Sequence, residues 1–220
     1  MLTEWLILYS KYIGVAGCLI IILGVIIPVL TYIGKKEERY SPLNHFISEL
    51  GKLSVSRNAR IFNLGLILGG IFPIPFMVGL GLKLDSLWGK VAILAGIWTS
   101  ISAMCVGVFP MNNLEPHTKA AVSYFRGGLV TVLSFGLAIQ LQPAGHLLIP
   151  KAANLISLLT VLAFFSFLLL LNRRWGKDQN LEAFNPQSEK ERPRIWILPL
   201  MEWLVYFCTI LWFFVMALLM

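Results

Sequence analysis

Apolar and polar positions alternate along this chain in long blocks, not residue by residue. Six apolar runs, approximately 12–34, 61–82, 90–110, 120–141, 152–172 and 198–220, stand out. Each reaches the roughly 18 residues needed to cross about 30 Å of hydrocarbon as a helix. The two-residue alternation of a barrel strand is absent, and backbone exposed to lipid must satisfy its own hydrogen bonds, which a helix does internally. The pattern predicts an all-α polytopic membrane helical bundle of six transmembrane helices, forming one domain over 1–220. The first run is read as a retained span. It exceeds the 7–15 residues of a signal-peptide core, its leader carries Glu4 with Lys11, and no small-x-small cleavage site follows.

Composition agrees: 57% of residues are hydrophobic and only 13% charged, against about 25% charged in an ordinary soluble domain. The net charge of +7 is explained by topology and needs no nucleic-acid partner, since no nucleic-acid motif accompanies it. Fourteen of the eighteen Lys and Arg residues fall in connectors one, three and five or at their edges: Lys35 to Arg60, Lys119 with Arg126, and Arg173 to Arg194. Lys11, Lys83, Lys90 and Lys151 are left for the other side. The positive-inside rule then places those three connectors in the cytoplasm and both termini outside, in a prokaryotic inner (plasma) membrane. Residues 173–197 read as a polar cytoplasmic linker. Cys18, Cys105 and Cys208 all lie within spans without Cys-x-x-Cys spacing and are read as packing residues.

Two polar cassettes interrupt the apolar pattern, Ser41-Pro42-Leu43-Asn44-His45-Phe46-Ile47-Ser48-Glu49-Leu50-Gly51 and Phe109-Pro110-Met111-Asn112-Asn113-Leu114-Glu115-Pro116-His117. The first predicts a short interfacial helix, opening at Ser41-Pro42 and presenting Phe46, Ile47, Leu50 and Leu53 on an apolar face. In the second span, Gly65-x-x-x-Gly69 permits close helix approach and Pro73 with Pro75 predict a kink. Gly127-Gly128 predicts close packing in the fourth. Asn63, Ser100, Ser102, Ser134, Asn154, Ser157 and Thr160 supply polar groups for contacts between helices.

Three stretches carry a resemblance. They are His45-Phe46-Ile47-Ser48-Glu49-Leu50-Gly51, then Val106-Gly107-Val108-Phe109-Pro110, then His117 followed by Ala120, Ala121 and Phe125. Together they resemble the prokaryotic integral membrane family catalogued as domain of unknown function number 998, over roughly residues 12–172. More distantly, Ile47-Ser48-Glu49-Leu50-Gly51 is similar to a motif of a eukaryotic six-span group linked to lipid remodelling of GPI anchors, a likeness that implies cytoplasmic termini. Neither resemblance assigns catalytic residues.

The cassettes place candidate chemistry on one side of the membrane. His45 and Glu49 share a helical face at spacing i, i+4, with Ser48 beside them. Glu115 and His117 arrive from connector three, and Arg126 is read as the one charge well inside a span. The favoured reading is an interfacial site for a lipid headgroup or small amphipathic ligand, drawing on Asn44, His45, Ser48, Glu49, Asn113, Glu115, His117 and Arg126. Arginine's planar donors suit a phosphate or carboxylate. Its structural counterpart is a clamp in which Arg126 pairs with Glu49 or Glu115. An enzymatic alternative makes the protein a lipid-modifying hydrolase or acyltransferase, with Ser48 as nucleophile and His117 as base, or a metal held by His45, Glu49 and His117. No His-Glu-x-x-His or Gly-x-Ser-x-Gly motif supports it. Haem ligation by His45 and His117 fits poorly, because both residues lie in connectors. Coupled transport lacks a mid-membrane acid. His146 reads as a loop residue. No cofactor is expected; the partners expected are membrane lipids, with a homo-oligomer or a larger membrane complex left open.

Overall fold

A computed structural model describes residues 2–34, 37–143, 145, 147–175 and 193–220. His146 and most of the predicted linker lie outside the described residues. Among the described residues all regular secondary structure is helical, with six segments long and apolar enough to span a membrane. Helix α1 covers Leu2–Thr31, α2 Ala59–Ile71, α3 Pro73–Leu84, α4 Leu87–Val108, α5 Leu114–Gln140, α6 Asn154–Trp175 and α7 Ile197–Leu219.

Helices α2 and α3 are the two halves of one span. The break falls at Phe72, directly before Pro73, where the missing amide interrupts the hydrogen-bond ladder as the sequence predicts. Span edges differ from the sequence reading most at the first helix, which begins at Leu2 and not near residue 12. Glu4 sits in its first turn, where a negative charge favours the helix, and hydropathy does not register that effect. The fourth span likewise opens six residues early, at Leu114, taking in Glu115 and His117.

Close approach explains the glycines. Gly24 of α1 faces Gly65 of α2 so tightly that a Cβ on Gly65 would lie 2.9 Å from the Gly24 Cα. Gly127 and Gly128 meet Thr99 of α4 and Phe164 of α6. Hydrogen bonds between helices reinforce this packing. Thr99 and Thr131 hydroxyls lie 3.0 Å apart, Ser102 and Ser123 2.8 Å, and Trp212 Nε1 donates to Ser157 Oγ at 3.0 Å. The main core gathers Phe76, Phe135, Phe164, Trp212 and Met216, each essentially without exposure.

The bundle has two distinguishable ends. At one, Lys83 Nζ donates to the Met220 carbonyl, so the end of the second span meets the C-terminal residue. At the other, the first connector meets the start of α7, with Trp196 N–H donating to Leu43 O at 2.8 Å. The functional candidates lie toward this second end.

Candidate functional site

The first connector does contain a short helix, but it is a single 3-10 segment, Ile47–Gly51, opening later than Ser41-Pro42. Nor does it display an apolar face to a surface. Phe46, Ile47, Glu49, Leu50 and Gly51 are all buried, and Leu53 is exposed. The segment plugs the bundle between α1, α2 and α7. A helix start carries amide groups with no partner inside the helix, and burial makes such groups costly. Two carboxylates meet that demand. Glu49 Oε1 accepts the Phe46 N–H at 2.9 Å, and Glu202 Oε2, from α7, accepts the Ile47 N–H at 2.7 Å. Phe46 has no side-chain acceptor, so only one half of a capping box is made.

Around the plug the remaining polar groups of the first cassette are also committed. His45 is 3% exposed. Its Nδ1 lies 2.7 Å from Asn44 Oδ1, and its ring packs edge-on against Tyr32 and tilted against Tyr40. Asn44 Nδ2 donates to Pro193 O. Tyr40 donates to Phe46 O at 2.9 Å and accepts from Trp203 Nε1 at 3.2 Å. Burial, and then the nearby Glu202 and Glu49 charges, push its phenol well above the ordinary value of 10.0. Opposite the plug, Asn63 Nδ2 donates to Gly51 O at 3.0 Å.

Ser48 takes a different direction. With His117 and Glu202 it lines a half-open cavity of about 110 Å³, walled otherwise by Tyr124, Tyr206 and apolar side chains such as Val25, Phe62, Leu66 and Val106. A second cavity of about 60 Å³ shares Ser48, His117, Ala121, Phe125 and Glu202 with the first. His117 Nδ1 donates to Phe109 O at 2.8 Å, since a carbonyl can only accept. That fixes the tautomer and leaves the lone pair on Nε2. The Ser48 hydroxyl approaches the Met111 Sδ at 3.6 Å, a weak acceptor.

Arg126 is on the other side of α5. It is exposed and lies in an outward groove of about 500 Å³ with Trp98, Lys119, Val122, Ser123 and Asn172. The expected pairing with Glu49 or Glu115 is not made. Glu49 faces the plug, and Glu115 Oε1 binds Lys119 Nζ at 2.7 Å in an exposed i, i+4 pair. Asn113 is exposed and contributes backbone bonds at the start of α5.

The sequence candidates therefore divide into three groups: Asn44, His45 and Glu49 in or beside the plug, Ser48 and His117 at the cavity, and Asn113, Glu115 and Arg126 on the exterior, at the start of α5 or along it. Among the described residues no three His, Cys, Asp or Glu side chains come close enough to hold a metal, so His45, Glu49 and His117 are not assembled as ligands. Glu202 escaped the sequence reading, which credited charge inside a span to Arg126 alone. The signal was present: an acid a little over one turn into an apolar run, which in a membrane protein marks a partner or a site.

No curated protein and no solved structure matches this chain. A family match does cover nearly all of it, residues 15–219, reaching through the sixth span where the cassettes alone stopped near 172, and it lends nothing to the eukaryotic likeness. The chain is an integral membrane protein and belongs to the family described as protein of unknown function (DUF998).

Proposed function

We propose that this protein binds anionic lipid, with the headgroup phosphate held in the outward groove of α5. One observation carries the reading: Arg126, about twelve residues and hence roughly 18 Å along a membrane-spanning helix, is exposed and has no hydrogen bond or ion pair among the described residues. A charged side chain costs about 2.5–3.5 kcal/mol at the centre of an inserted helix, less toward the interface, and it draws a counter-charge from its surroundings. Lys119, Ser123 and Asn172 line the same groove, and Trp98, whose Nε1 donates to Ser123 Oγ at 2.9 Å, supplies the amphipathic ring common at membrane interfaces. A phosphate diester fits this donor set, with the guanidinium giving two parallel bonds. The charge distribution supports a cytoplasmic position for the groove and outside termini.

The test is lipid analysis of protein extracted with its native membrane. Anionic phospholipid should co-purify with the parent, fall severalfold in Arg126→Leu and recover partly in Arg126→Lys, which restores charge without the planar fork. Equal anionic lipid in all three proteins overturns the reading.

A lipid-modifying reaction through Ser48 and His117 is the second reading, favoured because both line one cavity. Glu49 takes no part in it, being spent on the Phe46 amide. The Ser48 hydroxyl donates to a thioether and not to His117. Lipid turnover by the reconstituted protein that disappears in Ser48→Ala would establish this reading; turnover unchanged in Ser48→Ala would end it.

A further inference from the structure

The main helix contacts close a ring, from α1 to α2 and α3, then α4, α5, α6, α7 and back to α1. The larger cavity lies inside that ring, lined by every span except α6 and by Ile47 and Ser48 of the plug. The smaller cavity continues it sideways, between α5, α6 and the plug. Round α5 the two cavities and the outer groove follow in order. Tyr124 lines the central cavity only, Ala121 both cavities, Thr118 the side cavity only, Val122 the side cavity and the groove, and Arg126 the groove only. Since a helix turns about 100° per residue, those five side chains succeed one another in steps of about 40–60°. On α6 the same passage is made between neighbours, Leu171 lining the side cavity and Asn172 the groove. Val122 therefore stands between the groove and the interior of the bundle.

We infer that one acyl chain of a membrane lipid enters the bundle between α5 and α6, beside Val122, and lies in the side and central cavities. The choice of lipid rests on the groove reading: the chain belongs to the phospholipid whose phosphate Arg126 holds on the outer side of Val122. Several polar groups where the cavities meet are already committed to the protein. Glu202 accepts the Ile47 and Ser48 amides, His117 donates to Phe109 O, and the Ser48 hydroxyl turns to Met111 Sδ. The tyrosine hydroxyls and His117 Nε2 mark where water can accompany the chain. Elsewhere the walls are hydrocarbon, such as Phe62 and Leu66 in the centre and Phe167 and Leu171 at the side. The cavities hold about 110 and about 60 Å³; with about 10–15 Å³ for each water, that is space on the order of a dozen water-sized groups. The scale is that of a single alkyl chain. Left empty, such walls forfeit dispersion contacts, and in a bilayer the apolar group at hand to restore them is a lipid chain.

Phosphatidylglycerol carrying a diazirine at the end of one acyl chain tests this in vesicles containing the full chain. After irradiation, labelled positions are mapped by peptide mass spectrometry. Leu66 and Val205, which line the central cavity, are compared with the exposed Leu64 and Leu204 beside them. In the parent all four should be labelled. Ala121→Phe fills the space that both cavities share, and Val122→Trp obstructs the passage from the groove. Each should lower labelling of Leu66 and Val205 severalfold while leaving Leu64 and Leu204 as in the parent. Co-purified anionic lipid should be unchanged in Ala121→Phe, because Ala121 is outside the groove. Label confined to Leu64 and Leu204 in the parent overturns the inference without recourse to any variant, and inward labelling unchanged in both variants overturns it as well. Arg126→Leu separates it from the groove reading. Inward labelling that falls with the co-purified lipid supports both. Inward labelling retained in Arg126→Leu but lost in Val122→Trp removes the groove reading alone and supports entry of the chain beside Val122.

Discussion

The two polar cassettes look alike as sequence, each with a histidine, a glutamate and asparagine beside a proline, yet they end in opposite circumstances. In the first, Glu49 and Asn44 are spent on backbone groups and His45 on a neighbouring side chain and two tyrosines, all in or beside the buried 3-10 plug. In the second, Glu115 and His117 open α5, and the two faces of that helix separate its polar residues. His117, Ala121 and Phe125 look into the cavities, and Lys119, Ser123 and Arg126 look out into the groove. In a membrane protein, an irregular buried backbone claims nearby polar side chains first, because unpaired amides cost more there than anywhere else. A regular helix makes no such claim and leaves its side chains available to ligands.

That contrast is most exposed to test at the plug. Glu202→Leu and Glu49→Leu each leave a buried amide without its acceptor, at a cost of about 1–3 kcal/mol. Both should lower the thermal unfolding midpoint in detergent clearly, with the glutamine variants recovering most of the loss. Ser48→Ala, in the same segment but bonded only to a thioether, should stay within about 0.5 kcal/mol of the parent. A Ser48→Ala loss equal to that of Glu49→Leu would erase the distinction between structural and available side chains within the plug.

The spans were legible because length and hydropathy follow directly from bilayer thickness. The Phe72 break was legible because proline lacks a donor. The 3-10 plug was not. Phe46, Ile47 and Leu50 fit an amphipathic helix equally well, and what decided the matter was tertiary: Glu202, distant in sequence, reaches the Ile47 amide. The division of α5 was within reach of the sequence. Lys119, Ser123 and Arg126 repeat at i, i+4 and i+7, while His117, Ala121, Phe125 and Gly128 repeat on the opposing side. Treating connector three as irregular up to residue 120 hid that periodicity, since the first turns of the helix hold its polar residues.

A smaller effect concerns Tyr40, whose hydroxyl ties the plug to Trp203. Its folded pKa is raised above an unfolded value near 10. Its contribution is therefore fully present below about pH 10 and is lost as pH climbs from there toward the folded value, with a slope of at most about 1.4 kcal/mol per pH unit. Tyr40→Phe should be less stable than the parent by about 1 kcal/mol at neutral pH. The difference between the two should shrink when unfolding midpoints are followed from pH 9 to 11. A gap that stays constant over that range would mean that the phenol ionises as freely folded as unfolded, and that the plug admits water.

The smallest expected effect is at Arg126, and its smallness is what sharpens the comparison. A charge that braces the fold would be buried and paired, and removing it would strand a carboxylate at several kcal/mol. Arg126 is exposed, Glu115 is bonded to Lys119, and Glu49 caps the plug, so Arg126→Leu strands nothing among the described residues. In a detergent without anionic lipid its unfolding midpoint should match the parent's to within about 0.5 kcal/mol. Adding anionic phospholipid should then stabilise the parent more than the variant, because a ligand that binds only the folded state raises its stability in proportion to the logarithm of occupancy. A variant that loses more than about 1 kcal/mol without lipid would place Arg126 among the structural residues, on the same footing as Glu49. A variant stabilised by lipid as much as the parent would empty the groove of its proposed occupant while leaving the cavity's account intact.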